Sequence, residues 1–243
     1  MNRDEIRQLN KEFESVSADE ILHWALKYFG VNNIALASSF SIEDQLILDM
    51  LLKVDKKAQI FTLDTGRLPQ ATYDLIEITR KKYAISIEMF FPDASAVEAM
   101  TKKKGPNSFF ESVENRKECC AIRKIEPLKK KLSTLKAWIT GLRREQSEAR
   151  SDVPFIEWDE AFGLVKINPI ADWEELDIWD YIRNNRVPYN RLYDCSYTSI
   201  GCAPCTRPVK KGESTRAGRW WWENEEKKEC GIHIKDGKVV RKE

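Results

Sequence analysis

Long apolar runs are missing from this chain. Nowhere in its 243 residues do about 18 apolar side chains follow one another, so the sequence offers no membrane-spanning helix. The opening "MNRDEIRQLNKEFESV" is charged from its third residue and lacks the apolar stretch of an export signal. The expectation is a cytoplasmic protein with no membrane partner. An excess of either charge sign is missing too: Lys+Arg 40 against Asp+Glu 39 leaves a formal net charge of +1, so no global field draws in nucleic acid or an anionic surface. Internal repeats, low-complexity tracts and an obvious interdomain linker are also absent. Cysteine is scarce, at six residues, and in a reducing compartment spaced cysteines point to metal binding or catalysis rather than to structural disulfides.

What the chain does contain is an alternation of short apolar runs and helical patterns. Ile6, Leu9 and Phe13, then Ile21, Leu22, Ala25 and Leu26, have helical spacing, with Ser17 placed as an N-cap, so residues 1–30 read as two entry helices. "NIALASSF" reads as a strand ending in hydroxyls, and Ser41 with an acidic first turn opens the helix "SIEDQLILDMLLK". Strand "AQIFTLDT" and helix "LPQATYDLIEITRKKY" repeat the unit, followed by strand "ISIEMFF" and helix "ASAVEAMTKKK". A long helix from about Ser112 to Leu132 leads to a fourth strand, "LKAWITGL". This pattern predicts an α/β fold with a doubly wound, mostly parallel sheet. The helix "DWEELDIWDYIRNN" and a Gly/Pro/Cys loop complete a domain over 1–205, and residues 206–243 read as a mobile C-terminal segment.

Five of the six cysteines invite a chemical reading. Cys202 and Cys205 form a CxxC in a Gly/Pro loop, and Cys119 and Cys120 supply the two ligands that a four-thiolate centre still lacks. Neighbouring side chains on a helix diverge by about 100°, which suits the separate corners of a 4Fe-4S cubane better than a single tetrahedral zinc. Zinc remains the alternative, and small buried hydrophobes are the bland reading. Cys230 differs from these four, because "KKECGIHI" is polar and its lysines favour a thiolate that a second protein could reach. It reads as a nucleophile or as an inert exposed thiol. Cys195, flanked by aromatics, reads as structural or as a neighbour of the thiol centre.

Three strand ends carry anion-binding chemistry. "SSFSIED" (Ser38, Ser39, Phe40) opens a helix without the glycines of a Walker A loop. "LDTGRLP" offers Leu63, Asp64, Gly66 and Arg67, and "TGLRREQSEAR" offers Gly141, Arg143, Arg144, Gln146 and Ser147. The ends of parallel strands share one edge, so these loops are expected at one crevice, with Arg216 and Arg219 of "STRAGRWWWE" as further cations. Trp220, Trp221 and Trp222 could stack bases, but the neighbouring "ENEEKKE" is no basic groove, which argues against nucleic acid.

Taken together, "SSFSIEDQ", "LDTGR", "ECCAIRKIEPL", "TGLRREQS", "SIGCAPCTRP", "RAGRWWWE" and "ECGIH" resemble the assimilatory adenylyl-sulfate reductases, from about residue 30 to Cys230. The resemblance implies an adenine-nucleotide hydrolase-like fold. It implies reduction of adenosine 5'-phosphosulfate to sulfite and AMP, with electrons from thioredoxin or a similar dithiol protein. It implies one 4Fe-4S cluster per chain on Cys119, Cys120, Cys202 and Cys205, with Cys230 as the nucleophile. Ser38, Ser39, Leu63, Gly66, Lys124, Gly141, Arg143, Arg144, Arg216 and Arg219 then fall at or near positions used around nucleotide and sulfate. A preference for the 3'-phosphorylated nucleotide, or tolerance of both, is the near alternative. An ATP-dependent sulfurtransferase is more distant, since "SSFSIED" lacks the glycines of its loop. The oligomeric state is left open, a homo-oligomer included.

Overall fold

Two capped helices lead the chain into the fold. In the computed structural model, residues 1–147 and 150–223 are described. Helix α1 (Arg3–Phe13) starts at Asn2 and α2 (Ala18–Phe29) at Ser17, each with a reciprocal capping box that satisfies otherwise orphaned N–H groups. Ile21, Leu22 and Ala25 of α2 are fully buried, as their spacing predicts. Strand β1 (Ile34–Ala37) is followed by α3 (Ile42–Val54), whose N-cap Ser41 accepts from the Asp44 N–H. Then come β2 (Gln59–Leu63), α4 (Gln70–Tyr83), β3 (Glu88–Phe90) and α5 (Ala94–Lys104). Every α3 residue from Ile42 to Leu52 is buried, so this helix is central rather than amphipathic. Its buried Asp49 is held by Lys53 and by the hydroxyls of Tyr83 and Tyr181.

The long helix expected over 112–132 is broken into three pieces. α6 (Val113–Cys120) gives way to a π-helical turn at Ala121–Ile125 and then to α7 (Glu126–Leu132). The Glu126 N–H bonds to the Ala121 carbonyl, five residues back. Pro127 supplies the reason, for it has no N–H to give and its ring crowds the carbonyl four residues earlier. The widened turn lies directly after the paired cysteines.

Strand β4 (Ala137–Ile139) pairs in parallel with β1, and a hairpin of β5 (Ile156–Asp159) and β6 (Leu164–Ile167) extends the sheet, before α8 (Glu175–Asn185). The hairpin has little signature in the sequence, because β6 is buried at every position yet carries Lys166, which pairs with Glu157 across the strands. The sheet order is β3-β2-β1-β4-β6-β5, parallel throughout the registers of β2, β1, β4 and β6 and antiparallel at β5. Complete burial of β4 and β6 means that both faces of the sheet are covered there, as the doubly wound pattern predicts. Strand order reverses between β1 and β4, and the loops after those two strands flank this switch point.

The chain divides into two compact units. The first holds residues 1–62, 74–88 and 132–190, and the second holds 63–73, 89–131 and the chain from 191. The division does not fall at residue 205. Residues 206–223, expected as the start of a mobile tail, are tied into the second unit by a Thr206–Arg219 bridge, by Arg207 N–H to Gly218 O (3.0 Å) and by Val209 N–H to Ser196 O (2.8 Å). The rest of that segment, Cys230 included, lies outside the described residues.

One glycine marks how tightly β4 meets α3 in the first unit. A Cβ at Gly141 would stand 2.7 Å from Asp44 Oδ1 and 2.8 Å from Glu43 Cβ. Gly141→Ala is expected to destabilise the protein by about 1–3 kcal/mol through overpacking, read as a lower urea midpoint. An unchanged midpoint would show that the end of α3 yields at no cost.

Candidate active site

The switch point of the first unit is built from charges that satisfy one another. After β1, Phe40 takes a left-handed backbone (φ 61°) while its ring is buried, a conformation costly for a bulky side chain. The turn is held by side chains: Ser39 donates to Asp44 Oδ2 through N–H (2.6 Å) and Oγ (2.7 Å), and Phe40 N–H donates to Ser38 Oγ (3.1 Å). The Ser39 and Phe40 N–H groups, expected to face an anion, are therefore occupied from within the loop. Burial pushes the Asp44 carboxyl up to about 6, outweighing the Ser39 donors, and neighbouring Glu43 adds to the rise.

The loop after β4 answers that acidic end. Arg143 is buried and donates to Glu43 Oε1 (3.1 Å), to Glu145 (2.9 Å) and to the Trp173 carbonyl (3.0 Å). Gln146 Nε2 donates to Glu43 Oε1 and to Gly141 O, each at 3.0 Å. Arg144 donates to the Val153 carbonyl and to Glu14 and lies over the Phe155 ring. Arg143 and Arg144, expected as cations for the substrate, both hydrogen-bond to protein carboxylates and carbonyls, as the buried Arg143 guanidinium in particular must. Ser147 Oγ is buried and has no hydrogen-bond partner among the described residues.

The second unit gathers the cysteines. Cys119, Cys120, Cys202 and Cys205 line one cavity of about 320 Å³, part of it open to solvent, whose walls include Arg67, Arg116, Arg123 and Lys124. Two segments about eighty positions apart in the chain supply the four thiols. The "LDTGR" loop braces the second of them: Thr65 Oγ1 lies 3.2 Å from Cys202 Sγ, and Ala203 N–H donates to Arg67 O (2.8 Å). Asp64 accepts from Gly66 N–H (2.7 Å) and the Tyr73 hydroxyl (2.8 Å), which fixes the turn in which Gly66 has φ 70°. Leu63 closes β2 just before it. Arg67, expected to bind an anion, donates to Pro106 O and Asn107 Oδ1 and covers the Phe109 ring.

Burial works against ionisation of two of the four thiols. Burial raises the Cys119 thiol, against the opposing charge of Arg123. Burial pushes Cys205 up to about 12, helped by Cys202 and Cys120, and opposed by Arg219 and Lys124. Among the described residues no group of three or more His, Cys, Asp or Glu side chains is arranged to hold a single metal ion.

Several wall residues were not singled out by the sequence reading. Arg116 and Arg123 stand three residues on either side of the Cys pair, so helical spacing carried a signal for both. Thr65 and Glu223 carried none, since their partners are distant in the chain. The tryptophan run is packed: Trp220 is buried with Arg116 and Arg219 over its ring, and Trp222 meets Phe109 and Phe110. Arg219 Nε is buried without a hydrogen-bond partner among the described residues.

Comparison with known proteins follows the same lines. Residues 33–208 match the family model described as phosphoadenosine phosphosulfate reductase domain. An adenosine 5'-phosphosulfate reductase of Allochromatium vinosum is 48% identical over 206 residues, covering 85% of this chain and 80% of that protein. Among solved structures, phosphoadenylyl-sulfate (PAPS) reductase from Candida auris, in a phosphate complex, superposes with a TM-score of 0.73 at 31% identity, over 86% of this chain and 98% of that one. An FMN adenylyltransferase of Candida glabrata shares the fold alone, with a TM-score of 0.55 at 15% identity over 94% and 86% of the two chains.

The raised carboxyl of Asp44 gives a pH dependence with a definite sign. Its folded pKa lies above the unfolded value, so Asp44 supports the fold while protonated and loses that support as pH rises through about 6. Asp44→Asn, which keeps an acceptor for Ser39, is expected to stabilise the protein at about pH 7.5 by on the order of 2 kcal/mol and to change little near pH 3, below the value of an unfolded Asp carboxyl. Melting temperatures of both proteins across that range check this; a gap that stayed constant with pH would contradict it.

Proposed function

The chain belongs to the phosphoadenosine phosphosulfate reductase family, and on that premise we propose that it reduces adenosine 5'-phosphosulfate to sulfite and AMP in assimilatory sulfate reduction. The observation that carries the reading is the four-thiol cavity walled by guanidinium and ammonium groups. Its curated relative is named for this substrate.

The proposed chemistry balances with thiols alone. Sulfur in a phosphosulfate anhydride is electrophilic but ringed by negative oxygens, so an attacking thiolate needs those charges screened. Lys124, Arg216 and Arg219 are the proposed cations. The Cys230 thiolate forms a bond to sulfur, the sulfur–oxygen bond to phosphate breaks, and AMP leaves with that electron pair. The enzyme then holds S-sulfocysteine. A thiolate of a cytoplasmic dithiol protein, thioredoxin or one like it, attacks Cys230 Sγ and expels sulfite, and its second thiol resolves the mixed disulfide and restores Cys230. Two electrons pass from dithiol to substrate.

Cys119, Cys120, Cys202 and Cys205 would hold a 4Fe-4S cluster, and the donor set suits it, with four sulfurs in one cavity and cations around them to offset the charge of a thiolate-ligated core. When bound, the cluster supplies a covalent tie between the two cysteine segments and a local field. The positive charges of Arg116 and Arg123 act on Cys120 and Cys119. Lys124 lies four residues beyond Cys120 and also lines the cavity. These contacts would hold the ligating sulfurs in place and favour their ionised form.

A second reading, use of the 3'-phosphorylated nucleotide, is favoured by the likeness to the Candida auris structure, which is named for that substrate. Comparing kcat/KM for the two nucleotides, with thioredoxin present, separates them.

Anaerobically purified protein is expected to carry about four iron and four acid-labile sulfide per chain, and Cys202→Ala to lose both. Cys230→Ser is expected to keep the metal and abolish sulfite formation. Sulfite production at the normal rate by Cys230→Ser would overturn the nucleophile, and iron-free protein of full activity would overturn the cofactor.

A further inference from the structure

We propose that Gly201 is a positioning residue for Arg219: the side chain it lacks is the space in which the Arg219 guanidinium sits, with donors left over for an anion. This rests on the function proposed above, in which Arg219 screens the negative oxygens around the sulfur. A Cβ at Gly201 would stand 2.6 Å from Arg219 Cζ and 3.0 Å from Nη1, closer than real side chains come. Gly201 is not among the glycines with a positive φ, so backbone conformation does not call for glycine there; space does.

Both backbones at this contact are held, which leaves the guanidinium as the part that must yield. Gly201 N–H donates to Thr206 Oγ1 (3.1 Å), and that hydroxyl donates to the Cys202 carbonyl (2.9 Å). On the other side Arg219 forms the bridge with Thr206, and its N–H donates to Arg216 O (2.9 Å). At Gly141 an added Cβ meets the Cβ of Glu43, fixed to its helix, whereas the three atoms nearest an added Cβ at Gly201 all belong to the far end of Arg219. A methyl group at position 201 therefore disturbs the fold little and the place of Arg219 a great deal.

Arg219 is built like a guanidinium that serves a ligand. It is only 7% exposed, and among the described residues its buried Nε has no hydrogen-bond partner. Its Nη1 reaches Ser199 Oγ and the Ile200 carbonyl only at 3.4 and 3.5 Å, while the donors of buried Arg143 find acceptors at 2.9–3.3 Å. The Trp220 ring centroid lies 4.7 Å from Arg219 Cζ. Between that ring and Gly201 the fork is fixed in direction, and a planar fork pairs well with an anion only in the right orientation. A shift of about 1 Å in such a group is enough for a tenfold or larger loss of rate.

Gly201→Ala tests this in the intact protein. The variant is expected to keep a melting temperature and iron content near wild type. Modification of Arg219 by phenylglyoxal, followed by peptide mass spectrometry, should become faster as the guanidinium is pushed from its place. The kcat/KM for adenosine 5'-phosphosulfate should fall about tenfold, while the inhibition constant of AMP, which lacks the sulfonate, should be unchanged. Wild-type kcat/KM, unchanged labelling of Arg219, or a fall shared equally by AMP binding overturns the proposal. Loss of iron or of the fold also overturns it, because the CxxC loop would then be giving way in place of Arg219. Failure of the underlying function is distinguishable: the unaltered protein would form no sulfite from adenosine 5'-phosphosulfate, and the labelling of Arg219 would still report whether Gly201 holds its place.

Discussion

Desolvated thiols among cations are the constraint on which the rest depends. Two of the four sulfurs in the cavity resist ionisation there: burial raises the Cys119 thiol and pushes Cys205 up to about 12. Arg116, Arg123 and Lys124 around them work in the opposite sense. The surrounding backbone is arranged accordingly: a π-helical turn follows the Cys pair, and the Asp64–Gly66 turn holds Thr65 against Cys202.

A different solution operates at the switch point of the first unit. There the charges are already matched, Arg143 with Glu43 and Glu145, and Ser39 with Asp44. Gly141 allows β4 to approach the start of α3 closely enough for this network to form. The arrangement holds a buried carboxyl and a Phe40 backbone in the left-handed region.

Much of the fold was legible in local pattern. Ser17 and Ser41 act as the caps their positions suggest, and β1 to β4 lie where short apolar runs meet turn residues. The long helix was misjudged where Pro127 breaks its hydrogen bonding, an effect visible in the residue but not in the apolar periodicity. The β5–β6 hairpin stayed hidden because a buried lysine, neutralised by Glu157 on the neighbouring strand, interrupts the apolar run of β6.

For the site, the sequence by itself determined the chemical inventory: which thiols come in pairs, which loops end strands, and which family motifs recur, because these are properties of residue type and spacing along one segment. Tertiary structure decided how each charge is used. Arg143, Arg144 and Arg67, which the strand-end motifs offer to an anion, hydrogen-bond to protein acceptors, and Arg116 and Glu223, unremarkable in their segments, form a buried pair at the cavity wall. The physical reason is that a buried charge takes whatever acceptors the fold brings to it, and Glu223 stands 107 positions away in the chain from Arg116 and Glu43 100 from Arg143.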